Sequence, residues 1–263
     1  MVSGHRGERC LELENTMYAF RRAIDLGVDM IETDVHMTRD GHLVLMHDAD
    51  VERTTNGRGK IRDMTLCEIK SLDATVNSKI AVSPEAPPTL SELLELAKEK
   101  EELLLNVELK DYPEDGEDFA YESAERACNM LIEYGVAHRT WINSFSGKIL
   151  EYVYKKYGDT FYYHGFYPWF ILGEMTVDPE SFIDVACMQH RRLVDGEVIK
   201  CEDNMCPEEW FTYLTDRGIM PLMAPSLKEM PLYDKAFSYG SRIVNHDDPK
   251  KMLEHLRSQG MHD

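Results

Sequence analysis

Along this chain, apolar and polar positions recur in two periods, one near 3.6 and one near 2, and the two take turns. Residues 14–27 place Ala19, Phe20, Ala23, Ile24 and Leu26 on one helical face, with Gly27 as the expected stop. Residues 28–35 read as a strand, Asp40-Gly41 as a turn, and residues 42–46 as a second strand beyond it. The spacing predicts helices over 90–100 and 119–134, the latter stopped by Gly135, with a strand over 103–109 between them. The second half repeats the rhythm. Strands are expected over 140–144, 161–166, 182–188, 219–223 and 241–244. Helices are expected over 148–157, 208–217, 227–239 and 249–259, the third of these with Pro231 against its middle.

Strand alternating with helix argues for an α/β fold with a parallel sheet. About eight such units in a chain of this length favour a closed (β/α)8 barrel of the TIM type over an open doubly wound sheet. Residues 49–88 break the alternation: they hold Arg53-Thr54-Thr55-Asn56-Gly57, Gly59, Pro84, Pro87 and Pro88, with little strand signal. This stretch is expected to be a small insertion after the second strand, packed over one end of the barrel. No linker, low-complexity tract or longer repeat interrupts the rest, so residues 1–263 are expected to form one barrel domain.

Composition narrows the partners. Hydrophobic residues make up 43% and charged residues 29% of the 263, ordinary for a globular chain. The formal net charge of −19 repels nucleic-acid phosphates and anionic membranes, which are bound through Lys/Arg patches, so a nucleic-acid partner is not expected. The six cysteines form no C-x-x-C pair and read as reduced thiols of a cytoplasmic protein rather than a zinc site. No apolar run approaches the ~20 residues needed to span a bilayer, and no basic-then-apolar leader stands ahead of His5, so neither an integral membrane segment nor a signal peptide is expected. The oligomeric state is not legible.

Six short segments in the first 110 residues carry the candidate chemistry: His5-Arg6-Gly7, Glu14-Asn15-Thr16, Glu32-Thr33-Asp34, His47-Asp48, Arg53-Thr54-Thr55 and Glu108-Leu109-Lys110. Glu32 and Asp34 lie two apart on a strand and therefore share a face. At the C-terminal end of a barrel strand they would project into the mouth, where barrel active sites sit, and Glu108 ends the next parallel strand in the same way. Three carboxylates around one hard cation suit Mg²⁺ or Ca²⁺; the plainer alternative is three solvated acids. His5 and His47 are proton-transfer candidates, because a neutral imidazole accepts a proton near pH 7 and a protonated one donates it. Arg6 and Lys110 can clamp a phosphate, or else pair with the neighbouring carboxylates. Glu14 and Asn15 either orient His5 or touch metal or substrate, or they cap the first helix.

These segments, together with 30–35, Thr38-Arg39-Asp40-Gly41, Pro88-Thr89-Leu90 and Ser144-Phe145, resemble the glycerophosphodiester phosphodiesterase family, within the phospholipase-C-like phosphodiesterase barrels. The resemblance implies a metal on Glu32, Asp34 and Glu108, and acid–base roles shared between His5 and His47. It implies metal-dependent hydrolysis of a small glycerophosphodiester to glycerol 3-phosphate and an alcohol. The alternatives are a lysophospholipase D-type phosphodiesterase and a non-catalytic phosphodiester-binding barrel.

The second half departs from the family pattern. Pro221-Leu222-Met223-Ala224-Pro225 stands where the family has a tryptophan-bearing segment, His246-Asp247-Asp248-Pro249 lacks the usual threonine, and Leu13 replaces a proline. An aromatic cluster at Tyr162, Tyr163, Phe166, Tyr167, Trp169 and Phe170 offers either a replacement pocket wall, suited to a choline-type cation, or plain core and loop packing.

Overall fold

The computed structural model describes every residue except Glu12, Asp203, Asn204, Ser226 and Lys228. Its elements are β1 (Val2–His5), α1 (Met17–Leu26), β2 (Met30–Met37), β3 (Leu43–Leu45), α2 (Leu66–Lys70), α3 (Leu90–Lys98), β4 (Leu104–Leu109), α4 (Glu117–Glu133), β5 (Thr140–Asn143) and α5 (Gly147–Tyr157). They continue with β6 (Tyr162–Tyr167), β7 (Val185–Met188), β8 (Arg191–Val194), β9 (Glu197–Lys200), α6 (Glu208–Thr215), β10 (Met220–Met223), α7 (Met230–Ser238), β11 (Ile243–His246) and α8 (Pro249–Ser258).

Eight strands are parallel and close on themselves in the order β1-β2-β4-β5-β6-β7-β10-β11, with β11 returning to β1. This is the (β/α)8 barrel the alternation predicts. The strands are buried almost throughout, β2 at all eight positions, because helices cover them outside and side chains fill them inside. The apolar residues of strands and helices form one continuous core.

β3 lies outside the barrel count. β1 ends at His5, opposite Glu32. Above that point the free edge of β2 is taken up by β3, running antiparallel, with Val35 opposite Leu45. The insertion packs behind β3 through a separate small core of Val44, Met46, Val51, Ile61 and Ile69.

Differences at element ends have local causes. The first helix begins at Met17 rather than at residue 14, since Asn15 has a left-handed φ of 53° that no helix continues through, and extended Thr16 caps the helix by accepting from the Ala19 amide. Gly27 ends it with φ 86°. Pro231 falls in the first turn of α7, where a missing N–H costs nothing, so it opens that helix instead of breaking it. The β8–β9 hairpin adds to the expected elements, turning at Asp195-Gly196, a hairpin turn signal between two apolar pairs.

Candidate active site

The site is built at the C-terminal ends of β1, β2 and β4, and register aligns it. His5 pairs with Glu32, and Asp34 with Glu108. Glu32, Asp34 and Glu108 are buried, and one carboxylate oxygen from each lies within 4.8 Å of the others. Burial pushes the Glu32 carboxyl well above its usual range, and the charges of Asp34 and Glu108 push it further. Burial raises the Glu108 carboxyl too. Burial also acts upward on Asp34, but Lys110 and Arg6 outweigh it and hold that carboxyl below its usual range. Among the described residues Asp34 Oδ1 has no hydrogen-bond partner. Three buried carboxylates, one with an orphaned oxygen, form a donor set that fits a hard divalent cation.

The turn after β1 is strained in order to reach this cluster. Arg6 and Asn15 are two of the three non-glycine residues with positive φ among the described residues, at 57° and 53°. The Arg6 amide donates to Glu32 Oε2 at 2.9 Å, and the Asn15 amide to the Arg6 carbonyl at 3.0 Å. Gly7 follows with φ 78°, and a Cβ there would stand 2.7 Å from the Ala19 backbone carbon, so only glycine lets the turn sit on α1. Asn15 is therefore no cap. Its side-chain amide donates to Asp34 Oδ2 at 2.9 Å and its carbonyl accepts from Thr33 at 2.8 Å, which fixes the Asp34 carboxylate.

Both histidines reach the same mouth, and each is backed by an aspartate. His5 Nδ1 lies 2.5 Å from Asp247 Oδ1, and its Nε2 lies 3.9 Å from Glu32. His47 lies two residues beyond β3, and its Nδ1 lies 2.6 Å from Asp48 Oδ1. With the carboxylates ionised, each ring donates from Nδ1 and keeps Nε2 for chemistry. Burial lowers the affinity of both rings for a second proton. Asp247 opposes this at His5, and Asp34 and Asp48 oppose it at His47.

The cations bridge these acids. Arg6 Nη1 donates to Glu14 at 2.9 Å and its Nε lies 3.3 Å from Asp34, while Lys110 donates to Glu108 at 2.9 Å and lies 3.6 Å from Asp34. Both cations thus pair with neighbouring carboxylates, the second of the two arrangements the sequence allows, while facing the mouth. Glu14 accepts from Arg53 as well, at 2.7 Å, and Arg53 holds Asp48 at 2.5 Å. The insertion is in this way tied to the His47 pair.

Three contributors had no assigned role in the sequence reading. Asp48 stands beside His47, so its adjacency was a signal. Arg53 lay in a singled-out segment with no partner assigned. Asp247 is far away in sequence, and only the pairing of Gly4 with His246 brings it to His5. His36 adds support from below: it pairs with Asp111 at 2.8 Å and lies 3.4 Å from the His47 carbonyl.

The aromatic run does not assemble into a cage. Tyr163 is buried in the core, Tyr162 is 48% exposed, and Tyr167 packs edge-on to Trp169 and Trp210. Phe166 stacks on Phe145 at 3.6 Å, and Lys110 Nζ lies 6.0 Å from the Phe145 ring centre. Next to them opens a pocket of about 360 Å³ lined by Tyr112, Glu114, Phe145, Ile171 and Leu172 among others. No helix among the described residues is long and apolar enough to cross a membrane.

Comparison with known proteins agrees with this geometry. The chain is 42% identical over 159 residues to a glycerophosphodiester phosphodiesterase of Caldanaerobacter subterraneus, a match that covers 59% of this chain and 62% of that protein. It is 26% identical to the lysophospholipase D GDPD1 of Rattus norvegicus, over 97% of this chain and 85% of the rat protein. In fold it is similar to an Oleispira antarctica phosphodiesterase solved with its product sn-glycerol-3-phosphate, with a TM-score of 0.78, 21% identity, and coverage of 98% of this chain and 96% of that one. The model of the glycerophosphoryl diester phosphodiesterase family matches residues 5–195, from the first catalytic-candidate histidine through seven-tenths of the chain, and the chain belongs to that family.

Proposed function

We propose that this protein hydrolyses glycerophosphodiesters to glycerol 3-phosphate and an alcohol. The observation that carries the reading is the meeting, at one barrel mouth, of two aspartate-backed imidazoles with three buried carboxylates. The relatives' names and the family support it. The residues act together as one barrel unit.

Glu32, Asp34 and Glu108 would hold one divalent cation, Mg²⁺ or Ca²⁺. When bound, it supplies positive charge to the phosphoryl oxygens and acidifies a hydroxyl. Arg6 and Lys110 turn toward the phosphate and neutralise charge that grows in the transition state. One imidazole Nε2 takes the proton of the nucleophile, either water or the neighbouring glycerol hydroxyl. The other gives a proton to the departing alkoxide. Asp247 and Asp48 hold the rings in the tautomer that allows this. Glu14 and Asn15 set the angles of Arg6 and Asp34. The pocket beside Phe145 receives the leaving alcohol, one step from Lys110.

A second reading has specific support. The rat relative is named a lysophospholipase D, and Ile171 and Leu172 give the alcohol pocket an apolar wall that an acyl chain would contact. A non-catalytic barrel is disfavoured, because ligand holding alone needs neither ring–carboxylate pair. That none of the six cysteines falls in a C-x-x-C pair supports a reducing, cytoplasmic setting.

The test is a panel of glycerophosphodiesters and detergent-solubilised lysophospholipids, each with Mg²⁺, Ca²⁺ or chelator, with product read as glycerol 3-phosphate or lysophosphatidate. Glycerol 3-phosphate released only with a divalent cation is the expected result. Phosphodiester binding with no turnover under any cation would overturn the proposal, and lysophosphatidate as the main product would favour the second reading.

A further inference from the structure

The β8–β9 hairpin rises from the C-terminal end of barrel strand β7, the same rim that holds the candidate active site. It is a separate two-stranded sheet whose residues are exposed apart from half-buried Arg191: Leu193, Val194, Val198 and Ile199 are 54%, 44%, 43% and 45% exposed. Four of the ten large hydrophobic side chains left exposed among the described residues therefore sit on eight hairpin residues. Scattered single exposures are ordinary on a protein surface, whereas a contiguous group marks a contact surface.

Register sorts the side chains into two faces. Arg191 pairs with Lys200 and Leu193 with Val198, so these four share one face. Arg192, Val194, Glu197 and Ile199 share the other. The first face holds two apolar residues and two cations and no acid, in a chain whose net charge is −19. Among the described residues neither Arg191 nor Lys200 has a carboxylate partner; Lys200 is exposed, while Arg191 is half-buried, its Nε buried without a hydrogen-bond partner there. Asp195 and Gly196 make the turn with φ of 52° and 85°, which keeps the Asp195 carboxylate at the tip and off the flat of the face.

We propose that this face docks on an anionic lipid surface, with Leu193 and Val198 entering the headgroup layer while Arg191 and Lys200 meet lipid phosphates. Apolar side chains ringed by unpaired cations are the pattern such a surface attracts, and the rest of this acidic chain would be repelled. Docking through the hairpin brings the barrel mouth to face the lipid layer. The inference goes beyond the proposed hydrolysis and holds whichever diester is cleaved.

The test is co-sedimentation of the full chain with vesicles of phosphatidylcholine, with or without phosphatidylglycerol, at low and high salt. Wild type is expected to pellet with the phosphatidylglycerol vesicles at low salt and to be released at high salt. Leu193→Asp with Val198→Asp should abolish pelleting. Arg191→Gln and Lys200→Gln should each weaken it about fivefold. All variants should keep the wild-type circular dichroism spectrum and turnover of soluble glycerophosphocholine. If wild type stays in the supernatant with both vesicles, or the double aspartate variant pellets like wild type, the proposal is wrong. It is equally wrong if wild type is a dimer that the aspartate variant splits while neither form binds vesicles. An inactive protein that still pellets in this pattern would sink the hydrolase reading and leave the lipid contact standing.

Discussion

The imidazole of His5 donates from Nδ1 to the carboxylate of Asp247 across 2.5 Å, joining the end of the first barrel strand to the loop that follows the last. Barrel closure alone makes this pair. Burial acts to raise the Asp247 carboxyl, but the His5 bond, with Arg9 and Arg6 nearby, holds it below its ordinary range, so it stays ionised and fixes the ring.

An asparagine in its place would present either an amide or a carbonyl and would lose command of the tautomer. Asp247→Asn is therefore expected to lower kcat by about 10²- to 10⁴-fold, the range over which a positioned acid–base group acts. His5→Ala should fall by a similar factor, and the double variant should fall little further, because both changes disable one unit. Steady-state kinetics of the four proteins on one glycerophosphodiester check this. Losses that simply multiply would show that Asp247 acts apart from His5.

Glu32 supplies a prediction about the cation. Its carboxyl is raised by burial and by the neighbouring acids, so its folded value lies above the unfolded value of ~4.3. A group raised in this way gives its full stabilisation below ~4.3 and loses it as pH rises through the folded value. In chelator at neutral pH the ionised Glu32 is then a cost to the fold, and a bound cation would remove that cost. Addition of Mg²⁺ or Ca²⁺ should raise Tm at pH 7 and raise it less at pH 5. Glu32→Gln should raise the Tm measured in chelator, by about 2–4 °C for each kcal/mol of repulsion removed, and should abolish the cation response. A Tm that ignores both cations, measured by scanning calorimetry, would tell against the triplet as a metal site.

What the sequence made legible followed local rules. The strand–helix alternation fixed the barrel, and i, i+2 spacing put Glu32 and Asp34 on one face. Less legible was whatever depended on closure or on a single backbone angle. Asp247 reaches His5 only because β11 returns to β1. The first helix starts late because Asn15 takes a left-handed φ, which turns its side chain to Asp34 instead of capping α1. The aromatic run at 162–170 takes the plainer of its two readings, core and loop packing, because the strand sends Tyr163 to the core and Phe166 onto Phe145. The hairpin is illegible for a simpler reason: four-residue strands with apolar residues on both faces carry no clean period of two.

His47 provides a sharper test of the insertion. Arg53, from the insertion, bonds the Asp48 that backs His47. His47→Ala should lower kcat by about 10²- to 10⁴-fold. Arg53→Gln should lower kcat by less, with KM nearly unchanged, since Asp48 keeps its bond to the ring but loses its anchor. A loss that appears only in KM would place Arg53 on the substrate instead.

Glu14 sets the pH dependence of the site's own stability. Its side chain is 7% exposed and accepts from Arg6 and Arg53, with Arg9 at 3.4 Å. Burial acts upward on its carboxyl, and the three arginines outweigh it, so the folded value lies below the unfolded one. A group lowered in this way gives stability that is present above ~4.3 and lost as pH falls through the folded value. Glu14→Gln should therefore cost about 1.5–3 kcal/mol at pH 7, the range for hydrogen bonds to charged groups. As pH drops beneath ~4.3 that cost should shrink, because wild-type Glu14 becomes protonated and resembles the amide. Urea unfolding of both proteins in steps from pH 7 downward measures the difference. A cost that stays constant across that range would mean that the carboxylate charge contributes nothing and that Glu14 holds its arginines by shape alone.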